Sequence, residues 1–303
     1  MFDETKSISI IIPISNEEKR VEACVRRMLR FCQEKEWDFE LIFAEDGSTD
    51  NSASIVKRYA VSDHRIKMIN ISTRQGKGGA IISTALNFPI KECMAYMDVD
   101  LAGGPSELEK LIGFLGNNDI VLGSRLLRDD SVKVRRPFYR AILSHLYSRL
   151  FRTLFRNSIH DPQCGLKVFR RDIISKLLEN ITVKGFAFDS QLIITAYAQG
   201  LRVKEVPINW SHGKFSKISL RHIKSMGLDL FSIWFNFHLL WKQSKVCYPQ
   251  KKGSAYGRIL FWLLSLSKEI KERNSVNSVV NKPMTTNLNE TKLLPFKSIE
   301  SRS

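Results

Sequence analysis

The chain has 303 residues, 43% hydrophobic and 26% charged, an ordinary globular composition with enough apolar residues for a full core. Lys and Arg number 47 against 31 Asp and Glu, a formal charge of +16, which favours anionic partners such as nucleic acid, nucleotide-sugar phosphates or anionic lipid headgroups. Cys24, Cys32, Cys93, Cys164 and Cys247 include no CxxC pair, which argues against a disulfide framework or a zinc site.

The opening MFDETKSISIIIP is acidic and runs straight into an apolar segment, so no signal peptide is expected. Ser7–Ile14 (SISIIIPI) reads as a buried parallel strand. Residues 16–33 carry Val21, Val25, Met28 and Leu29 at helical spacing. A strand is predicted at 39–43 (FELIF), a helix at 49–59, a strand at 65–71, a helix at 78–86, a strand at Cys93–Met97, a helix at 105–115 and a strand at 119–123. Strands alternate with helices, and polar, Gly-rich residues cluster after the strands. This predicts a doubly wound, mostly parallel α/β sheet with its crevice at the carboxyl edge.

Beyond Arg125 the pattern changes. Phe138–Phe155 reads as a long helix bearing Arg140, Arg149 and Arg152, 161–170 as a loop and strand, 186–199 as a helix, and 203–210 as an edge strand broken by Pro207. The segments 228–241 and 258–266 are apolar and aromatic; from about residue 268 the chain turns polar. The expected division is an α/β domain over 1–241, an amphipathic region over 242–267 and a mobile tail over 268–303.

Five constellations carry candidate chemistry. Asp98-Val99-Asp100 follows a strand, and two carboxylates one residue apart can hold a hard divalent cation against a diphosphate. Glu45-Asp46-Gly47-Ser48-Thr49-Asp50 and Pro13-Ile14-Ser15-Asn16-Glu17-Glu18 also follow strands. Each contains a helix-capping candidate as well as candidate nucleotide contacts. Gly76-Lys77-Gly78-Gly79-Ala80 opens a helix and can approach phosphate, but it lacks P-loop spacing, and no GxGxxG follows the first strand. Arg125, with Arg135, Arg136 and Arg140 nearby in sequence, suits a phosphate.

In this order and spacing, IIPISNEE, EDGSTD, GKGGA, DVD and GSR resemble family 2 glycosyltransferases of the GT-A fold. DPQCGLKVF, FAFDSQL and VPINW, with Ser216-Lys217, narrow the resemblance to polyprenyl-phosphate sugar synthases, dolichyl-phosphate β-glucosyltransferases above all and mannose synthases next. It spans about residues 7–241. It implies that Pro13, Asn16, Glu17 and Asp46 line the nucleobase and ribose pocket, with Lys77 near the nucleotide. Asp98 and Asp100 then bind Mg²⁺ or Mn²⁺ with the diphosphate, Arg125, Arg136 and Arg140 receive the acceptor phosphate, and Gln163, Lys167 and Asp189 face the sugar. The implied reaction is an inverting attack of a polyprenyl or dolichyl phosphate on the anomeric carbon of a nucleotide-sugar, probed first with UDP-glucose. Asp100, Asp189 and Arg125 stand at the reaction centre.

Two departures accompany the resemblance. Gln191 stands where relatives often carry Glu, and Ala102-Gly103 follow the DVD where mannose synthases place Gln or His, which leaves the metal's third protein ligand unassigned and leans away from mannose. No stretch of about 20 apolar residues is present, so 228–241 and 258–266 are expected as interfacial helices at the cytoplasmic face of a membrane or as core. Alternatives are a GDP-mannose enzyme, a polysaccharide-directed transferase and an inactive scaffold. A nucleic-acid partner is not expected, because acidic loops at the strand ends repel a phosphate backbone and no binding motif accompanies the charge.

Overall fold

The run of isoleucines after Ser7 has no polar side, and in the computed structural model it lies at the middle of a sheet. The structure describes residues 7–243 apart from Ser72, Arg128, Arg136 and 212–219, and within its helices and strands it does not describe the side chains of Arg135, Arg140, 220–225 and 238–243. All of these residues fall within one unit, Met1–Ser244. The predicted segment 258–266, the tail over 268–303, Ser216-Lys217 and Arg136 lie outside the described residues.

The strands are β1 (Ser7–Ile14), β2 (Asp38–Glu45), β3 (Ile66–Asn70), β4 (Cys93–Met97), β5 (Ile120–Ser124), β6 (Val134–Arg135), β7 (Leu166–Arg170), β8 (Val203–Pro207) and β9 (Trp210–Ser211). The helices are α1 (Glu18–Glu34), α2 (Ser52–Ser62), α3 (Gly76–Asn87), α4 (Pro105–Gly113), α5 (Phe138–Phe155), α6 (Ile174–Leu178), α7 (Phe188–Ala198) and α8 (Leu220–Gln243). Seven strands form one sheet in the order β3-β2-β1-β4-β7-β5-β8, and β6 pairs with β9. The doubly wound, mostly parallel α/β sheet expected from the sequence is therefore present.

One strand runs the other way. β7 is antiparallel to both β4 and β5, with Tyr96 opposite Lys167 and Leu122 opposite Lys167. This reversal positions the site. β1, β2, β4 and β5 deliver their carboxyl ends to one edge, whereas β7 delivers its amino end there, so the segment 161–165 joins the loops after β1, β2 and β4.

Ile8, Ile10, Ile12 and Ile14 share a buried cluster with Val21, Val25 and Met28 of α1 and Leu108 and Leu111 of α4. Side chains alternate along a strand, so Tyr96, between Ala95 and Met97 of that cluster, faces the other way. There its ring lies 5.6 Å from Phe169 and 6.0 Å from Phe188 of α7. A fully buried aromatic in such a setting contributes on the order of 2–3 kcal/mol.

Boundaries shift by a few residues from the predicted ones. The predicted helix at 78–86 begins at Gly76, and the strand at 203–210 is two pieces, β8 and β9, separated after Pro207. β8 is an edge strand, where a proline costs no ladder hydrogen bond. The segment 171–178, for which no element was predicted, forms a short 3-10 turn and α6. The predicted segment 228–241 lies within the longer α8, in which Leu230, Ile233 and Trp234 are buried. No helix among the described residues is long and apolar enough to cross a membrane.

Candidate active site

Three loops at the sheet edge are laced together by their own polar groups. Asn16, at φ +56°, accepts from the Thr49 N–H at 2.7 Å through its Oδ1, and its own N–H donates to Ser48 Oγ at 3.1 Å. The Glu17 N–H donates to Ser52 Oγ at 2.6 Å, and the Glu18 N–H to Asp50 Oδ2 at 3.1 Å. Asp50 also accepts from the Ser52 N–H at 2.9 Å. The capping role expected for this region thus serves two helices, because Asp50 and Ser52 secure the starts of α1 and α2 together. Glu17 pairs with Arg20, and Pro13 sits in β1 opposite Ala44.

Asp46 has a further tie. Its two carboxylate oxygens accept from the backbone N–H groups of Gln75 at 2.6 Å and Gly76 at 2.8 Å, and its side chain is buried. An anion at the start of α3 satisfies orphan donors and opposes the positive end of the helix dipole. Asp46 thereby sets the position of Lys77, the second residue of that helix.

Lys77 reaches across the edge. Its Nζ lies 2.8 Å from Asp98 Oδ1 and 3.7 Å from Asp189 Oδ2. Burial disfavours its charge, but the two carboxylates more than offset this and raise its pKa above the usual lysine value. Asp189, in the first turn of α7, is also bound by the fully buried Lys167 of β7 and by the Tyr96 hydroxyl, which donates to it. Lys167 donates in addition to the Cys164 carbonyl at 2.7 Å. Burial pushes the Asp189 carboxyl up, but Lys167 and Lys77 outweigh it and hold it below the usual carboxylate range. Asp189 is therefore an ionised, fully engaged acceptor, poorly suited to taking a proton at neutral pH and well suited to fixing the two lysines.

Asp98 is set against the strand that runs backwards. Its N–H donates to the Gly165 carbonyl at 3.2 Å, and a Cβ on Gly165 would overlap the Asp98 carboxylate. Only glycine fits at that position of the QCG segment. Asp100 accepts from the Ala102 N–H at 3.1 Å, within a loop that turns through Leu101 at φ +47°. Burial, and next the Asp98 charge, raise the Asp100 carboxyl above its ordinary value.

Asp98 and Asp100 offer oxygen donors of the kind that a hard divalent cation takes, and their mutual repulsion is what such a cation would relieve. Among the described residues no three His, Cys, Asp or Glu gather into a metal site. A cation held by these two carboxylates would complete its shell with diphosphate oxygens and water, the usual arrangement for Mg²⁺ beside a nucleotide.

Gln163 lies over α7. Its Nε2 donates to Ser190 Oγ at 3.0 Å and to the Tyr147 hydroxyl at 3.3 Å, and those two hydroxyls are 2.8 Å apart. Arg125 follows β5 and is committed to Asp161 through Nε at 2.7 Å, Nη2 at 2.8 Å and its backbone N–H at 2.9 Å. Its guanidinium also lies 5.1 Å from the Trp210 ring centre. Burial raises the Asp161 carboxyl, and Arg125 more than reverses this, leaving it below the usual range. Glu205 holds the same loop by accepting from the His160 and Asp161 N–H groups at 2.8 and 2.7 Å.

The structure therefore brings Lys77, Asp98, Lys167 and Asp189 into one network, with Asp46 at its back and Asp100 beside it. Arg125 forms a separate pair with Asp161. Arg136 lies outside the described residues, and Arg140 is placed only as backbone of α5. Sequence reasoning missed Tyr96, Asp161, Ser190, Tyr147 and Glu205. Asp161 opens the DPQCG segment and could have been singled out with Gln163. Tyr96 reads as one more apolar strand residue and carries no local signal.

The profile of Glycosyl transferase family 2 matches residues 9–178. A dolichyl-phosphate beta-glucosyltransferase of Trichomonas vaginalis is 31% identical over 245 residues, covering 77% of this chain and 75% of that protein. The human dolichyl-phosphate beta-glucosyltransferase is 28% identical over 246 residues, covering 76% and 75%. Glycosyltransferase AglD of Haloferax volcanii is 31% identical over 233 residues, 75% of this chain, but the match spans only 37% of that longer protein. Among solved structures, glucosyl-3-phosphoglycerate synthase from Mycobacterium tuberculosis, in complex with Mn²⁺, UDP and glucosyl-3-phosphoglycerate, superposes with a TM-score of 0.57 at 17% identity, covering 80% of this chain and 82% of that one; the likeness is one of fold. With more than half of its length matched by the family profile and a relative at 31% identity aligned over three quarters of both chains, this chain belongs to glycosyl transferase family 2 and is a glycosyltransferase.

Proposed function

We propose that this enzyme transfers a hexose, glucose from UDP-glucose, onto dolichyl or another polyprenyl phosphate, with inversion, at the cytoplasmic face of a membrane. The observation that carries the reading is the similarity, over 77% of the chain, to a dolichyl-phosphate beta-glucosyltransferase. The lysine–carboxylate network beside Asp98 and Asp100 agrees with it. A phosphate oxygen of the acceptor attacks C1 of the sugar, the C1–O bond to the diphosphate breaks, and UDP leaves with its electron pair. The nucleophile is already an anion at neutral pH, so positioning and charge balance matter more than a base. That suits an Asp189 held ionised by its neighbours.

In this reading Pro13, Asn16, Glu17 and Asp46 border the nucleoside. Asp98 and Asp100 would hold Mg²⁺ or Mn²⁺, which when bound neutralises charge on the departing diphosphate. Lys77 meets the diphosphate, and Gln163, Lys167 and Asp189 orient the sugar. Arg136 and Arg140 receive the acceptor phosphate, with Arg125 adding positive charge from its seat on Asp161.

The test is a transfer assay with purified full-length protein, Mg²⁺ or Mn²⁺, a short polyprenyl phosphate in detergent, and labelled UDP-glucose, UDP-N-acetylglucosamine and GDP-mannose. An organic-extractable, acid-labile product formed from UDP-glucose is expected. Release of UDP with no labelled lipid would overturn the acceptor, and labelling from GDP-mannose alone would overturn the sugar.

A further inference from the structure

α5 carries its apolar residues on the wrong side for a core helix. Phe151 and Phe155 are buried, and their rings lie 5.3 Å apart, which accounts for the inner face. Yet Phe138 is 80% exposed, Ile142 50%, Leu146 64% and Leu150 43%. Residues spaced by four drift only about 40° around a helix per step, so these form one oblique stripe about 18 Å long, with the exposed Tyr139 beside it. A soluble helix would place polar residues there.

A second observation lies on the same helix, beside the end of the stripe at Leu150. Arg149, Arg152 and Thr153 line a cleft of about 220 Å³. Nε of Arg152 is buried without a hydrogen-bond partner, and no ion pair engages Arg149 or Arg152 among the described residues. A guanidinium nitrogen turned inward with no acceptor is costly unless something supplies one, and phosphate, like carboxylate, is an oxygen acceptor that guanidinium forks match.

From these two features we infer that α5 is a lipid-docking helix: Phe138, Ile142, Leu146 and Leu150 enter the headgroup–acyl boundary of an anionic bilayer, and the Arg149–Arg152 cleft takes a lipid phosphate. Charge complementarity selects this occupant, because α5 carries Arg140, Arg149 and Arg152 and no Asp or Glu, and anionic leaflets attract such a helix. The inference deepens the proposed reading, in which the acceptor is presented at a bilayer.

Full-length protein would be sedimented with phosphatidylcholine vesicles, with and without phosphatidylglycerol, none containing polyprenyl phosphate. The wild type should bind the anionic vesicles. Ile142→Asp/Leu146→Asp should lower the partition coefficient about tenfold or more, with an unchanged thermal transition because both positions are exposed. Arg149→Gln/Arg152→Gln should remove only the phosphatidylglycerol-dependent, salt-sensitive part. Wild-type binding by the aspartate pair would overturn the inference. So would a change from dimer to monomer with vesicle binding intact, which would assign the stripe to a second copy of the chain. Because the vesicles lack acceptor, binding to them is read independently of transfer: vesicle binding together with no labelled lipid in the separate transfer assay would sink the proposed acceptor and leave the docking helix standing.

Discussion

At the scale of single residues, Gly165 shows how a motif acquires its meaning. QCG is a string of letters until β7 runs antiparallel beside β4 and lays Gly165 on the Asp98 carboxylate. Gly165→Ala must displace that carboxylate; the expected cost is about 1–3 kcal/mol in stability, with a loss of transfer larger than that cost explains, read by comparing kcat with the denaturation midpoint. Arg125 illustrates the opposite case, an arginine whose sequence context suggests phosphate and whose side chain is occupied by Asp161. Arg125→Met leaves a buried carboxylate unpaired and should cost about 3–5 kcal/mol, whereas Arg125→Met/Asp161→Leu should recover much of it. The Asp161 carboxyl lies below its ordinary value. Its contribution is therefore present above the unfolded carboxylate pKa and lost as pH falls through the folded one. Urea titrations across the acid range should show that slope in the wild type and a shallower one in the double variant.

At the scale of elements, α3 depends on a close approach to the segment before α7. A Cβ on Gly78 would collide with Phe188 Cβ and the Lys184 carbonyl, so Gly78→Ala should push the helix away and carry Lys77 off Asp98 and Asp189. We expect about 1–3 kcal/mol of destabilisation and a raised KM for the nucleotide-sugar, measured by steady-state kinetics on the folded variant. The helices and strands before Arg125 were legible because each is a short amphipathic or wholly apolar run bounded by Gly, Pro or Asp. α6 and β6 were not: five residues and two residues are too short for a periodic pattern, and contacts made elsewhere in the chain decide them. β7 was legible as a strand but not in its direction, since an apolar pentamer reads the same either way.

For the whole molecule, the site concentrates like charge and so works against stability. The Asp100 carboxyl is raised by burial and by Asp98, so the ionised form that prevails at neutral pH disfavours the fold, and this penalty fades as pH falls through the folded pKa. Asp100→Asn should accordingly raise Tm by about 2–4 °C for each kcal/mol relieved while abolishing transfer. Added Mg²⁺ or Mn²⁺ should raise Tm in the wild type and much less in Asp100→Asn, by differential scanning fluorimetry. A wild type indifferent to both ions would remove the metal assignment.

Hydrophobic periodicity along the chain was enough to establish the α/β class, the alternation of β1 to β5 with their helices, and the placing of Asp46, Asp98 and Asp100 after strand ends, because those features follow from local spacing. The order and wording of the motifs were enough for the family. Only the tertiary structure decided that Asp46 anchors α3, that Lys77 and Lys167 converge on Asp189 with Tyr96, that Arg125 belongs to Asp161, and that the apolar stripe of α5 faces outward. Each of these is a contact between residues 22 to 112 positions apart or a choice of which helix face is covered, and neither is encoded in any local window of sequence.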